Sequence, residues 1–174
     1  IAVADTMAGS AAYWLASAAD EIVVSPSSEI GSIGVLALHL DVSRALDTAG
    51  ITPTVIKAGK YKGEGNPWQP LTVEAQDYLQ SRANEIYTAF VGSVAKGRGV
   101  PPSKVRESFG QGRMVGAKEA VRQGMADRVA TLTQTLARLG ANAAPSGASA
   151  TVALDESPPA RNERERLILR YGAN

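Results

Sequence analysis

The 174-residue chain contains no cysteine, so disulfides, thiolate metal sites and a cysteine nucleophile are excluded. Histidine is nearly as scarce. His39 is the only one, which argues against a His-based metal site and leaves a Ser–His–Asp arrangement a single residue to use. His39 sits between Leu38 and Leu40 in an apolar run, and its neighbours support no more than a packed or edge histidine. An excess of one charge is also lacking: 18 basic residues face 17 acidic ones, for a net charge of +1. No basic field therefore argues for nucleic acid or an anionic membrane surface as partner. No apolar run approaches the roughly 18 residues that span a bilayer, and no signal-peptide pattern opens the sequence. The first four residues, IAVA, instead read as a buried strand. A chain seldom begins inside a core strand, so upstream residues are expected, and the lack of a targeting signal describes this stretch alone. What remains, 44% apolar and 20% charged, suits one compact α/β domain.

Small-residue turns alternate with apolar strands over the first forty residues. Residues 11–19 (AAYWLASAA) are rich in helix formers, with Ser10 where an N-cap would stand. Residues 21–24 (EIVV) read as a strand, 25–34 (SPSSEIGSIG) as a turn segment and 33–40 (IGVLALHL) as a strand covered on both faces. Asp41 caps a short helix closed by Gly50, and 52–57 (TPTVIK) read as another strand. This β–α–β–β–α–β rhythm predicts a layered α/β fold with crossover helices. Gly and Pro make 58–70 a loop. A long helix is expected over 72–96, with Leu79, Ala83, Ile86, Phe90 and Val94 as its apolar stripe and charges that suit its dipole. Pro101 and Pro102 open a further helix, 116–123 form another stopped by Gly124, 126–130 a short strand and 132–139 a last helix. The domain reading is a core over 1–139, a small-residue and Pro-containing linker over 140–159, and a C-terminal helix or tail over 160–174.

With one His and no Cys, a serine activated by a neutral lysine is the arrangement left to consider. Ser10, flanked by Gly9 and Ala11 at a strand-to-helix turn, could expose its hydroxyl with a helix N-terminus behind it. A serine before a helix is more often only an N-cap. Lys57, Lys60 and Lys62 in the Gly-rich loop are candidate bases, although most lysines are merely solvated.

Three blocks in order sharpen this reading: AGSAAYWLASAADEIVVSPSSEIGSIGV, then about twenty residues later IKAGKYKGEGNPWQPLT, then FGQGRMVGAKEAVRQGMADRVA. Over roughly residues 1–135 they resemble the S49 peptidases, the signal-peptide-peptidase A family. The Ala11–Ala12 pair, where many members have two glycines, is similar to the phage capsid-maturation branch. The resemblance implies Ser10 as nucleophile, Lys62 of the Gly-x-Tyr-Lys step as general base, and Ser32 of the Gly-Ser-Ile-Gly turn as the hydroxyl that orients the lysine. Lys57 and Lys60 are left as solvated charges. It implies a ClpP/crotonase-like fold, ring-like homo-oligomers in which serine and lysine can come from neighbouring subunits, and no metal or organic cofactor. The family's glycine-rich oxyanion turn lies upstream of its serine and has no counterpart before Ser10, so this exact chain is expected to be inactive or weak.

The implied activity is endopeptidase cleavage of a polypeptide substrate, a phage capsid or scaffold protein or a signal-peptide-like segment, in the bacterial cytoplasm or a phage prohead. Its rate is expected to rise with pH as the lysine loses its proton. Two other classes stand beside it. One is an assembly module that kept the fold without the chemistry, against which the joint presence of Ser10, Lys62 and Ser32 argues. The other is a crotonase-type acyl-CoA enzyme, which would need glutamates near Ser10 that the sequence does not supply.

Overall fold

A central run of three fully buried β-branched residues, Ile22, Val23 and Val24, organises the structure. The computed structural model describes residues 1–140. These residues form β1 (Ala2–Ala4), β2 (Met7–Gly9), α1 (Ala11–Ala16), β3 (Ile22–Val24), β4 (Glu29–Gly31), α2 (Ser43–Thr48), α3 (Val73–Arg98), α4 (Pro102–Ser108), a 3-10 turn (Gly110–Gly112), β5 (Met114–Gly116), α5 (Ala117–Gln123), β6 (Arg128–Val129) and α6 (Leu132–Arg138). The architecture is mixed α/β. In the first sheet, ordered β1-β3-β6, all strands are parallel, and β3 is the middle strand. A parallel strand covered on both faces reads as a continuous apolar run, as Ile22–Val24 does. The second sheet is ordered β2-β4-β5, with β2 and β4 parallel and β5 antiparallel to β4.

Between the layers lies a core of Tyr13, Phe90, Phe109, Ile30, Met125 and Val94 with their smaller neighbours. Two of these come from α3. Thr72 caps that helix by accepting from the Ala75 N–H at 3.2 Å, Glu74 lies in its first turn, Lys96 and Arg98 lie in its last, and Gly99 ends it in the left-handed conformation. All of this matches the sequence pattern. The apolar stripe is only partly used. Phe90 and Val94 are buried, Leu79 and Ala83 are half-buried, and Ile86 is exposed. Near its end α3 crosses the residues after α1 at very short range: a Cβ on Gly97 would stand 1.8 Å from the Ser17 carbonyl oxygen.

Four expectations are corrected. Residues 33–40 and 52–57 do not pair into a sheet. Leu36, Leu38, Leu40 and Ile56 are exposed rather than covered. A short apolar run signals a tendency to pair but carries no partner, and neither segment has one among the described residues. His39 is consequently not in a strand. Residues 25–34, expected as turn, contain β4, because Ile30 enters the core and Glu29–Gly31 pair with β2 and β5. Helix α1 stops at Ala16, where Ser17 turns its hydroxyl back to the Trp14 carbonyl at 2.7 Å. The helices expected at 41–50, 116–123 and 132–139 and the strand at 126–130 are present within a residue or two, and the helix expected to open at Pro101 and Pro102 runs over Pro102–Ser108. The linker over 140–159 and the tail over 160–174 lie, beyond Gly140, outside the described residues.

One ion pair fastens the end of α3 to the strand region. Arg98, 8% exposed, meets Asp127 at 2.6 and 3.0 Å and the Gly124 carbonyl at 3.0 Å. Asp127 also accepts the Ile22 N–H at 2.7 Å. The Arg98 hydrogen bond holds the Asp127 carboxyl below its usual range. An acid with a depressed folded-state pKa binds its proton more readily once unfolded. Its contribution is therefore complete above the ordinary aspartate value of about 4 and is lost as pH falls further. Thermal melts should be nearly flat from neutrality to about pH 5 and then descend, with Asp127→Asn making the acid limb shallower.

Two glycines of α3 should respond oppositely to alanine. Gly97→Ala should lower the unfolding free energy by about 2 kcal/mol or more, because the methyl meets backbone that cannot yield. Gly92→Ala, where a Cβ would meet nothing within 4 Å, should raise it by about 0.5–1 kcal/mol through helix propensity. Urea titrations of the two variants measure both.

Candidate active site

Ser10 stands alone between the last residue of β2 and the first of α1, at φ 53° and ψ −123°. An N-cap residue has extended backbone and accepts a bond from the helix's first turn. Ser10 does neither: its conformation is the one that favours glycine, and its side chain makes no capping bond. Its N–H donates to the Gly31 carbonyl at 2.8 Å and its carbonyl accepts from Trp14 N–H at 3.0 Å. Such a sharp strand-to-helix turn lifts a serine hydroxyl clear of the chain, and Ser10 is indeed exposed. Holding a side-chain-bearing residue there costs about 1–3 kcal/mol, so the surroundings must over-determine it.

They do so through α1. The fully buried Tyr13 donates its hydroxyl to the Met125 carbonyl at 2.9 Å, and burial pushes its phenol well above the ordinary value. Trp14 stacks on Phe90 of α3, with ring centroids 4.7 Å apart and planes 5° from parallel. Ala11 and Ala12 stay exposed on the other side of the helix. The small-small-aromatic spacing after Ser10 thus leaves the serine side open and bolts the opposite side into the core.

Ser32 follows β4 as Ser10 follows β2. The register pairs Gly9 with Gly31, so the two serines emerge side by side, each one residue past a matched glycine. A Cβ placed on Gly9 would lie 3.7 Å from the Ser32 Cβ. Ser32 also has positive φ, 51°, and its N–H donates to the Arg113 carbonyl at 2.9 Å. The structure therefore brings two of the three candidate residues together.

Lys62 is not with them. It lies in the turn over 59–65, its N–H donating to the Gly59 carbonyl at 3.2 Å, and its exposed side chain makes no hydrogen bond with either serine. Its neighbours are engaged locally. Lys60 Nζ reaches the Tyr61 hydroxyl at 2.7 Å and Glu74 at 3.7 Å, and Lys57 Nζ the Lys60 carbonyl at 3.4 Å. His39 is half-buried with Nε2 3.0 Å from the Asn66 carbonyl, a tie within the loop region. Among the described residues no three His, Asp or Glu side chains cluster as a metal would need, and no helix is long and apolar enough to cross a membrane.

Sequence reasoning passed over Met114, whose side chain reaches the face beside Ser10. Its position in a two-residue apolar step gave no signal, because only the sheet register carries it there.

The chain is similar to several known proteins. A protein of Methanocaldococcus jannaschii that is named as a protease is 36% identical over 130 residues, covering 75% of this chain and 42% of that protein. Capsid assembly protease C of Escherichia phage lambda is 31% identical over 135 residues, covering 78% of this chain and 30% of that protein. Serine protease SPPA, chloroplastic, of Arabidopsis thaliana is 30% identical over 138 residues, covering 79% and 20%. The chain thus spans less than half the length of each of these relatives. The description Peptidase family S49 matches residues 1–145, which takes in both serines, the lysine loop and every element from β1 to α6, and the chain belongs to that family.

Proposed function

We propose that this chain carries the catalytic serine of an endopeptidase that cleaves polypeptides through an acyl-enzyme, with Ser10 as nucleophile, Lys62 as general base and Ser32 as the hydroxyl that orients the lysine. The observation that carries the reading is the backbone of Ser10, which is strained, uncapped and aimed outward beside Ser32. Neutral Lys62 takes the Ser10 hydroxyl proton as Oγ bonds to the scissile carbonyl carbon. The C–N bond then breaks as the ammonium returns the proton to the leaving amine, and water hydrolyses the ester.

Lys62 is exposed in the single chain and makes no hydrogen bond with either serine, and family resemblance suggests how it is brought in. In a ClpP/crotonase-like ring, the lysine loop of one subunit serves the serine of the next, and the interface excludes water from it. A phage capsid or scaffold protein is the substrate class that the lambda relative favours, with the host cytoplasm or prohead as the place of action. The position of Lys62 also favours a second reading, an assembly module of the same fold without chemistry.

Labelling of the full-length protein with a serine-directed acylating probe, read by intact mass, separates the two. Wild type should take up one probe per chain, Ser10→Ala none, and Lys62→Ala should react at least about 100-fold more slowly, with the wild-type rate rising from neutral to alkaline pH. A folded, oligomeric wild type that takes up no probe would establish the assembly module instead.

A further inference from the structure

The second sheet has one face turned into the core and one turned out. Ala8, Ile30 and Val115 occupy the buried face, so their neighbours Gly9 and Met114 belong to the other, since side chains alternate along a strand. Met7, two residues before Gly9, confirms the orientation, being 69% exposed. The register sets Gly9, Gly31 and Met114 level on three adjacent strands. Met114 therefore starts two strands away from Gly9, about 9–10 Å at the usual strand spacing. Its side chain nevertheless lies directly on Gly9: a Cβ built there would be 2.9 Å from Met114 Sδ and 3.3 Å from Cε. Gly31, between them, adds no side chain. The thioether thus covers the outer face up to the residue that precedes Ser10, and Ser32 bounds the same space.

We infer that Met114 forms the floor of the subsite that receives the substrate side chain nearest the carbonyl attacked by Ser10, and that it restricts this subsite to small side chains. The inference rests on Ser10 as nucleophile and extends that reading to specificity. Gly9 leaves a space where any other residue would place a Cβ, and Met114 fills it from the side. A substrate residue lying over Gly9 therefore meets a half-buried thioether rather than an open groove. Methionine suits the place because it is unbranched and conforms to what lies against it, so it narrows the subsite without closing it.

The test uses peptidyl fluorophosphonates identical except for the side chain nearest phosphorus, alanine-like or leucine-like, with labelling rates measured by intact mass on the full-length protein. Met114→Ala should raise the leucine-to-alanine rate ratio by about tenfold or more, and Met114→Phe should lower it. Gly9→Ala should also lower it by pushing the thioether outward, and Met114→Ala introduced into that background should abolish the Gly9→Ala effect. Labelling that Ser10→Ala removes but whose ratio stays within about twofold of wild type in every other variant would overturn the role of Met114 and leave the nucleophile standing. Wild type that reacts elsewhere than at Ser10, or not at all, would overturn the nucleophile and this inference with it.

Discussion

The hydrogen bond from the buried Tyr13 hydroxyl to the Met125 carbonyl is the contact on which the candidate site depends. It spans the chain from the first helix to the turn after α5, inside a core where an unmet hydroxyl would cost about 1–3 kcal/mol. Because Tyr13 is three residues after Ser10, this bond fixes the rotation and depth of α1, and with them the direction in which the strained serine leaves β2. The stack of Trp14 on Phe90 and the passage of Ser17 over Gly97 hold the same short helix against α3. A six-residue helix has little stability of its own. Its position, and so that of Ser10, is borrowed from the long helix and the two sheets.

Much of the fold was legible where the signal is local. Thr72, Pro101, Gly116 and Gly124 mark helix ends by side-chain or backbone chemistry that each carries alone. The apolar EIVV segment announced the central strand because a strand buried on both faces needs no alternation. The failures have the opposite character. Residues 33–40 and 52–57 have the composition of strands, but pairing belongs to two segments at once, and neither finds a neighbour among the described residues. Glu29–Gly31 looked like a turn because only its partners on either side reveal it as a strand.

The candidate site divides along the same line. Ser10 by itself could not be told from a helix cap. Family resemblance singled it out, and the structure shows it uncapped at positive φ, a backbone state that leaves no trace in composition. Ser32 becomes its companion through the Gly9–Gly31 register, which no local pattern encodes. Apart from the family resemblance, Lys62 was legible as a loop lysine and nothing more. The serines are tied to a strand register, while the lysine rides on a Gly-rich turn fastened chiefly to the start of α3, through Tyr61 and Glu74.

The uncovered segments have a colloidal consequence. Leu36, Leu38, Leu40 and Ile56 present apolar side chains outside any sheet of the described residues, which leaves backbone and apolar surface open to another chain. The protein has almost no net charge near neutrality to keep copies apart. Concentrating it near its isoelectric point of about 8.2 brings weak repulsion and adhesive strand-like surface together. Self-association at high concentration would then be expected to begin at those two stretches rather than at the packed body that holds Ser10.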